Sequence, residues 1–175
     1  MISIIQINFN QRLAGITLLM LTINSVVSDR VNLKDSFDWM NLEEAQEAAM
    51  TDRKNIMVFV EAEWCGICRQ MEQNVFPEAE IQKIVDDMYH PVTIDLDSRE
   101  LVRFNGEEMT EREFARAMNV SATPTFLFIN PEGVVLAHQV GYNAANRFEA
   151  LLLFIYSDQF GEISFEDYFR MHSES

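Results

Sequence analysis

Short runs of β-branched and aromatic residues alternate along this chain with longer stretches in which apolar side chains recur every three or four positions. Ile56, Met57, Val58, Phe59 and Val60 form an unbroken apolar run, the pattern of a central strand buried on both faces. Upstream, Asn41 is followed three residues later by Glu44, a helix-opening signature, and Leu42, Ala45 and Ala49 then share one face. Lys54 and Asn55 are expected to close that helix. A second helix is expected from Cys65 to Val75, restarted at Pro77, with Ile81, Ile84, Val85 and Met88 at helical spacing. Residues 90–96 read as the next strand.

Farther on, Asn105-Gly106 is a tight-turn signal between residues 101–104 and 108–109, predicting a small hairpin. Thr110 and Glu113 make a capping box for a helix that turns Phe114, Ala115 and Met118 inward. Residues 125–129 predict a strand, 131–133 a turn, and 134–138 its antiparallel partner. Asn143 is expected to cap a last helix carrying Phe148, Leu151, Leu152 and Ile155 on its buried stripe. The order β-α-β-α followed by β-β-α predicts an α/β fold, a central mixed sheet flanked by helices. After Glu162, Phe165, Tyr168, Phe169 and Met171 sit among acidic residues, a tail that either packs back on the domain, binds a partner as a helix, or frays.

The first residues follow another logic. Arg12 precedes an apolar stretch over 13–23, and small or polar residues continue to Ser28, the order of a secretory signal with Val26 and Ser28 at the cleavage positions. The apolar stretch is shorter than the ~20 residues a spanning helix needs; an uncleaved anchor is the other reading. The expected organisation is a signal peptide or anchor over 1–28, the globular domain over 29–157, and the tail over 158–175. Either reading of the leader places the domain outside the cytoplasm, in the periplasm of a two-membrane cell.

With 175 residues and 48% hydrophobic content, the chain suits one core. Its net charge of -15 and pI near 4.4 exclude a surface that tracks phosphates with Lys and Arg, so nucleic acid is not an expected partner. The two cysteines, Cys65 and Cys68, stand too close to staple a long loop. His90, His138 and His172 are not spaced to complete a zinc site with them, and no metal is expected.

What remains for Cys65 and Cys68 is chemistry on each other. They stand at the exit of an apolar strand and the entrance of a helix, where the positive end of the helix dipole and unpaired N–H groups favour a thiolate. That lowers a thiol from about 8.5 toward about 7 or less. Cys65 is therefore the expected nucleophile, reached from solvent. Cys68, one turn in, is the shielded resolving thiol.

The run Ala62-Glu63-Trp64-Cys65-Gly66-Ile67-Cys68, with Ala122-Thr123-Pro124-Thr125-Phe126 far downstream, resembles the thioredoxin superfamily over roughly residues 37–156. Residues 68–76, the connection through Phe104-Asn105-Gly106 and the Thr-Pro-Thr-Phe segment look like periplasmic SoxW-like thioredoxins and thiol:disulfide interchange proteins. The resemblance implies a thioredoxin fold and a thiol-disulfide oxidoreductase whose only redox group is the Cys65–Cys68 disulfide, with no other cofactor. It places Trp64, Gly66, Ile67, Thr123 and Pro124 on the substrate-binding surface, with Pro124 a cis-proline facing the cysteines. Exported proteins carrying disulfides or thiols are the implied substrates, and a membrane-embedded reductase the implied electron donor. A thiol oxidase or isomerase, and a peptide-binding module without turnover, are the other functions the fold would serve. Two departures stand out. Gly66-Ile67 replaces the usual Gly-Pro between the cysteines, and Phe59 occupies the strand position where the family carries a buried Asp. Glu61 and Glu63 are the nearest carboxylates in sequence.

Overall fold

In the computed structural model, which describes residues 36–157 and 159–173, the apolar run of residues 56–60 becomes the inner strand β1 (Asn55–Glu61). It pairs in parallel with β2 (Tyr89–Asp95) on one side and antiparallel with β5 (Thr125–Ile129) on the other. β6 (Val135–Val140) continues the sheet beyond β5, giving the order β2-β1-β5-β6. β3 (Leu101–Phe104) and β4 (Glu107–Thr110) form a separate antiparallel hairpin. Asn105 and Gly106 both take positive φ, 51° and 80°, as the two-residue turn requires.

Every side chain from Asn55 to Val60 is buried because both faces of β1 are covered. Ile56, Val58 and Val60 point to one face, where α1 (Leu42–Asp52) and α4 (Glu111–Ala117) contribute Leu42, Ala45, Ala49, Phe114 and Ala115. Met57 and Phe59 point to the other, with side chains from α2 (Gly66–Asn74), α3 (Ala79–Met88) and α5 (Ala145–Tyr156). This second layer is aromatic. Phe59 stacks on Phe126 with centroids 5.1 Å apart and meets Phe76 edge-on at 5.1 Å, and Phe126 contacts Phe148 at 4.7 Å. Such pairs add about 0.5–1.5 kcal/mol each to the area they bury.

The local signals act largely as read. Asn41 caps α1 by accepting from the Glu44 N–H at 2.9 Å, and Thr110 and Glu113 complete their reciprocal box at the start of α4. Several boundaries differ. α1 ends at Asp52, because Arg53 turns left-handed (φ 67°) and its N–H returns to Ala49 O, so Asn55 already belongs to β1. β2 and β6 are displaced by one residue at their starts, to Tyr89 and Val135. Asn143 does not cap α5. It is buried and its amide donates to Gly141 O at 3.3 Å, while Ala144 occupies the cap position without a side-chain bond.

The tail forms α6 (Phe165–Ser173) and packs on α5. Tyr168 is buried against Phe154 at 5.0 Å, and the Arg147 guanidinium lies over Phe165 at 4.7 Å while pairing with Glu166. The leader at 1–28 lies outside the described residues. Among those described, no helix is long and apolar enough to cross a membrane.

Candidate active site

β1 delivers the chain to the site. Ala62 O accepts from the Cys65 N–H at 2.8 Å, a turn that ends the strand and sets Cys65 as the N-cap of α2. The Cys65 sulfur occupies the place a Ser or Asp oxygen usually takes at a cap, accepting the Cys68 N–H at 3.0 Å. Cys65 and Cys68 form a disulfide with an S–S distance of 2.06 Å and Cα atoms 5.3 Å apart. Breaking it leaves the Cys65 sulfur at the positive end of α2 with a donor already aimed at it, the arrangement that favours a thiolate there.

Both cysteines are buried in the disulfide state, Cys65 at 4% and Cys68 at 1% exposure. The expected contrast between a solvent-reached Cys65 and a shielded Cys68 is thus small here, since each sulfur covers the other. The exposed parts of the motif are Trp64 at 64% and Ile67 at 43%, with Gly66 also exposed. Trp64 stands out from the surface and is tied by its indole Nε1–H, which donates to Asp97 Oδ2 at 2.8 Å. Asp97 in turn accepts from Arg112 through its backbone oxygen at 3.0 Å and its Oδ1 at 3.3 Å. This buttress comes from the β2–β3 connection and α4. Nothing in the spacing of the sequence pointed to Asp97 or Arg112.

Around the same connection, Glu111 Oε2 accepts the Asp95 N–H at 3.2 Å. Burial pushes the Glu111 carboxyl above its usual range, and the neighbouring Glu100 and Asp95 charges add to that, against hydrogen bonds from Ser98 and Asp95.

The Thr123–Pro124 peptide is cis and leads into β5, with Pro124 buried. Pro124 O accepts from the Gly141 N–H at 2.9 Å, and Thr125 Oγ1 donates to Ala122 O at 2.8 Å, so the segment is held from both sides. Phe59 lies in the aromatic layer that also contains Cys65, Cys68 and Phe126, so the position holds a ring where an internal proton acceptor would sit. Glu63 is exposed and Glu61 half-buried at the end of β1. Among the described residues, no group of three His, Cys, Asp or Glu side chains is arranged to hold a metal.

Comparison with known proteins gives a consistent picture. The model of a family described as the thioredoxin-like domain matches residues 42–156, from the start of α1 to the end of α5. A thioredoxin-fold protein from Helicobacter pylori superposes with a TM-score of 0.68 at 15% identity, covering 82% of this chain and 95% of that one. A thioredoxin from Thermus thermophilus superposes with a TM-score of 0.58 at 22% identity, covering 72% and 91%. At these identities the likeness establishes the shared fold. No curated protein sequence matches the chain.

Proposed function

The chain belongs to the thioredoxin-like family, and from that premise we propose that it is an exported thiol-disulfide oxidoreductase that reduces disulfides in exported proteins. The observation that carries this reading is the Cys65–Cys68 disulfide at the start of α2, with the Cys68 N–H directed at the Cys65 sulfur at 3.0 Å. In the reduced protein the Cys65 thiolate attacks one sulfur of a substrate disulfide. A Cys65–substrate bond forms, the substrate bond breaks, and the departing sulfur takes up a proton as a thiol. The Cys68 thiolate then attacks the Cys65 sulfur, releasing the second substrate thiol and closing the intramolecular disulfide. Two electrons pass to the substrate. A membrane-embedded reductase outside the cytoplasm would return them to Cys65 and Cys68.

Export is supported by the order of residues 1–28, a basic residue, a short apolar stretch and small residues. Exposed Trp64, Gly66 and Ile67 beside the cysteines, with the Thr123–Pro124 segment, are the surface against which an extended substrate chain would lie.

The test is turnover with a protein disulfide and its two single variants. Wild type should reduce the substrate repeatedly. Cys68→Ser should stop after one attack and accumulate a mixed disulfide, and Cys65→Ser should do neither. Capture by Cys65→Ser alone would reverse the roles, and no turnover or capture by any form would overturn the oxidoreductase reading.

A further inference from the structure

Arg69 lies one helical turn beyond Cys65, and its own N–H donates to Cys65 O at 3.3 Å. Its side chain is exposed but does not run on along α2. It folds back past the helix start, where its guanidinium donates to Glu63 O at 2.8 Å. The other guanidinium nitrogen, Nη2, reaches to 3.7 Å from where a Cβ on Gly66 would stand. The cation is thereby held close to Glu63 and Gly66, which bracket Trp64 and Cys65 in sequence.

This placement works against the helix. The N-terminus of a helix already carries partial positive charge, and stability favours acidic side chains there. α2 has no acidic residue in its first turn and instead draws a guanidinium to that end. Arg69 donates there to a backbone carbonyl rather than to a carboxylate. In a chain of net charge -15, a positive group held at the mouth of the cysteine turn is explained by what it does to a nearby anion. The anion that forms there during exchange is the Cys65 thiolate.

We propose that Arg69 is a positioning residue that holds a positive charge beside the Cys65–Gly66 turn and stabilises the Cys65 thiolate. The proposal rests on the exchange chemistry described above, but its consequence is visible in the reduced protein without any substrate. Stabilising the thiolate favours the reduced form of the couple, which makes the Cys65–Cys68 disulfide the more readily reduced. The charge, not the hydrogen bond alone, is the active feature, so lysine should serve in part and a neutral side chain should not.

The experiment titrates Cys65 in the reduced full-length protein by the pH dependence of iodoacetamide alkylation, with thiolate absorbance as a second readout. Arg69→Met should move the Cys65 midpoint upward by about half a pH unit, leaving roughly threefold less thiolate at pH values below it. Arg69→Lys should restore most of the shift. The gap between wild type and Arg69→Met should narrow in ~1 M salt, where charges are screened within about 3 Å. Equilibration against glutathione should show Arg69→Met the harder to reduce. An unchanged Cys65 midpoint in folded Arg69→Met, or a shift that salt leaves intact and lysine fails to restore, overturns the proposal. Absence of turnover in wild type would sink the enzymatic reading and leave this titration to be judged by itself.

Discussion

Trp64 and Asp97 are joined across 33 positions of sequence by one hydrogen bond, indole Nε1 to carboxylate Oδ2 at 2.8 Å. It fixes an exposed aromatic side chain immediately before Cys65, where a free indole would sample several rotamers and need ordering on binding a substrate. Asp97→Ala should therefore lower kcat/KM for a protein disulfide by about fivefold, the equivalent of one hydrogen bond of ~1 kcal/mol. Asp97→Asn keeps an acceptor and should recover most of the loss. Steady-state kinetics check the rates, and fluorescence anisotropy of the variants in a Trp39→Phe background checks the freed indole. Equal kinetics for Asp97→Ala and wild type would show that substrate binding alone orders Trp64.

The contrast between Trp64 and Asp97 marks how far the sequence could be read. Strand β1, the Asn105-Gly106 hairpin, the Asn41 cap and the Thr110 capping box are local: each depends on residues within a few positions, and each was legible. Cys65 and Cys68 were legible because a helix start alone brings them together. Asp97 was not, since its role depends on how the β2–β3 connection returns beside the strand end. Asn143 misled for a related reason. A capping residue type was present near the start of α5, but its amide turned inward to Gly141 O, a choice set by the turn after β6 and not by composition. The burial of Cys65 likewise follows from the disulfide and the packed layer beneath it, not from its place in the motif.

Phe59 gives the second prediction. Its ring is 1% exposed and touches Trp39, Phe76 and Phe126. Phe59→Ala should cost about 3–5 kcal/mol, since the surrounding rings are held by other elements and cannot collapse into the gap. Phe59→Asp should cost at least as much, because it also buries a carboxyl in an aromatic layer. Urea unfolding of the two variants decides the matter. A folded Phe59→Asp protein of near-wild-type stability would mean that water or a rearranged side chain reaches the site.

Tyr89 carries a pH dependence whose sign is fixed. It is buried at the start of β2 and its hydroxyl donates to Leu152 O at 2.6 Å, tying the sheet to α5. Burial pushes its pKa far above the usual value of 10.0, with Tyr156 adding to the effect. A raised pKa in the folded state means that the unfolded chain gives up the proton at a lower pH than the folded one. The stabilising contribution is fully present below the unfolded pKa near 10 and is lost progressively as pH rises beyond it. Denaturant midpoints should thus fall above about pH 10 in wild type. Tyr89→Phe should lose roughly 1 kcal/mol at neutral pH and show a shallower alkaline fall. Parallel alkaline curves for the two proteins would assign the fall to other groups.

The last prediction concerns the place where three separate elements meet. Asn105, at the hairpin turn, exchanges two hydrogen bonds with Gln46 of α1: its N–H donates to Gln46 Oε1 at 2.9 Å, and its Oδ1 accepts from Gln46 Nε2 at 2.6 Å. Its amide nitrogen donates to Gly133 O at 3.3 Å in the turn between β5 and β6. Gly133 has φ +78°, and a Cβ there would stand 2.2 Å from Asn105 Oδ1 and 3.0 Å from Gln46 Nε2. Gly133→Ala should therefore cost about 2–4 kcal/mol, from left-handed strain together with displacement of the Asn105 side chain. Asn105→Ala loses the same side-chain bonds without the clash, places an alanine at φ 51°, and should cost about 1–3 kcal/mol. Combined, the two should cost less than their sum, because removing the Asn105 amide opens the space the new methyl needs and its bonds can be lost only once. Beyond those lost bonds, the double variant keeps the left-handed strain of an alanine at both the Asn105 and the Gly133 positions. Urea midpoints for the four proteins measure this coupling. Strict additivity would show that the hairpin moves as a body to admit the methyl, and that Asn105 does not fix it to α1.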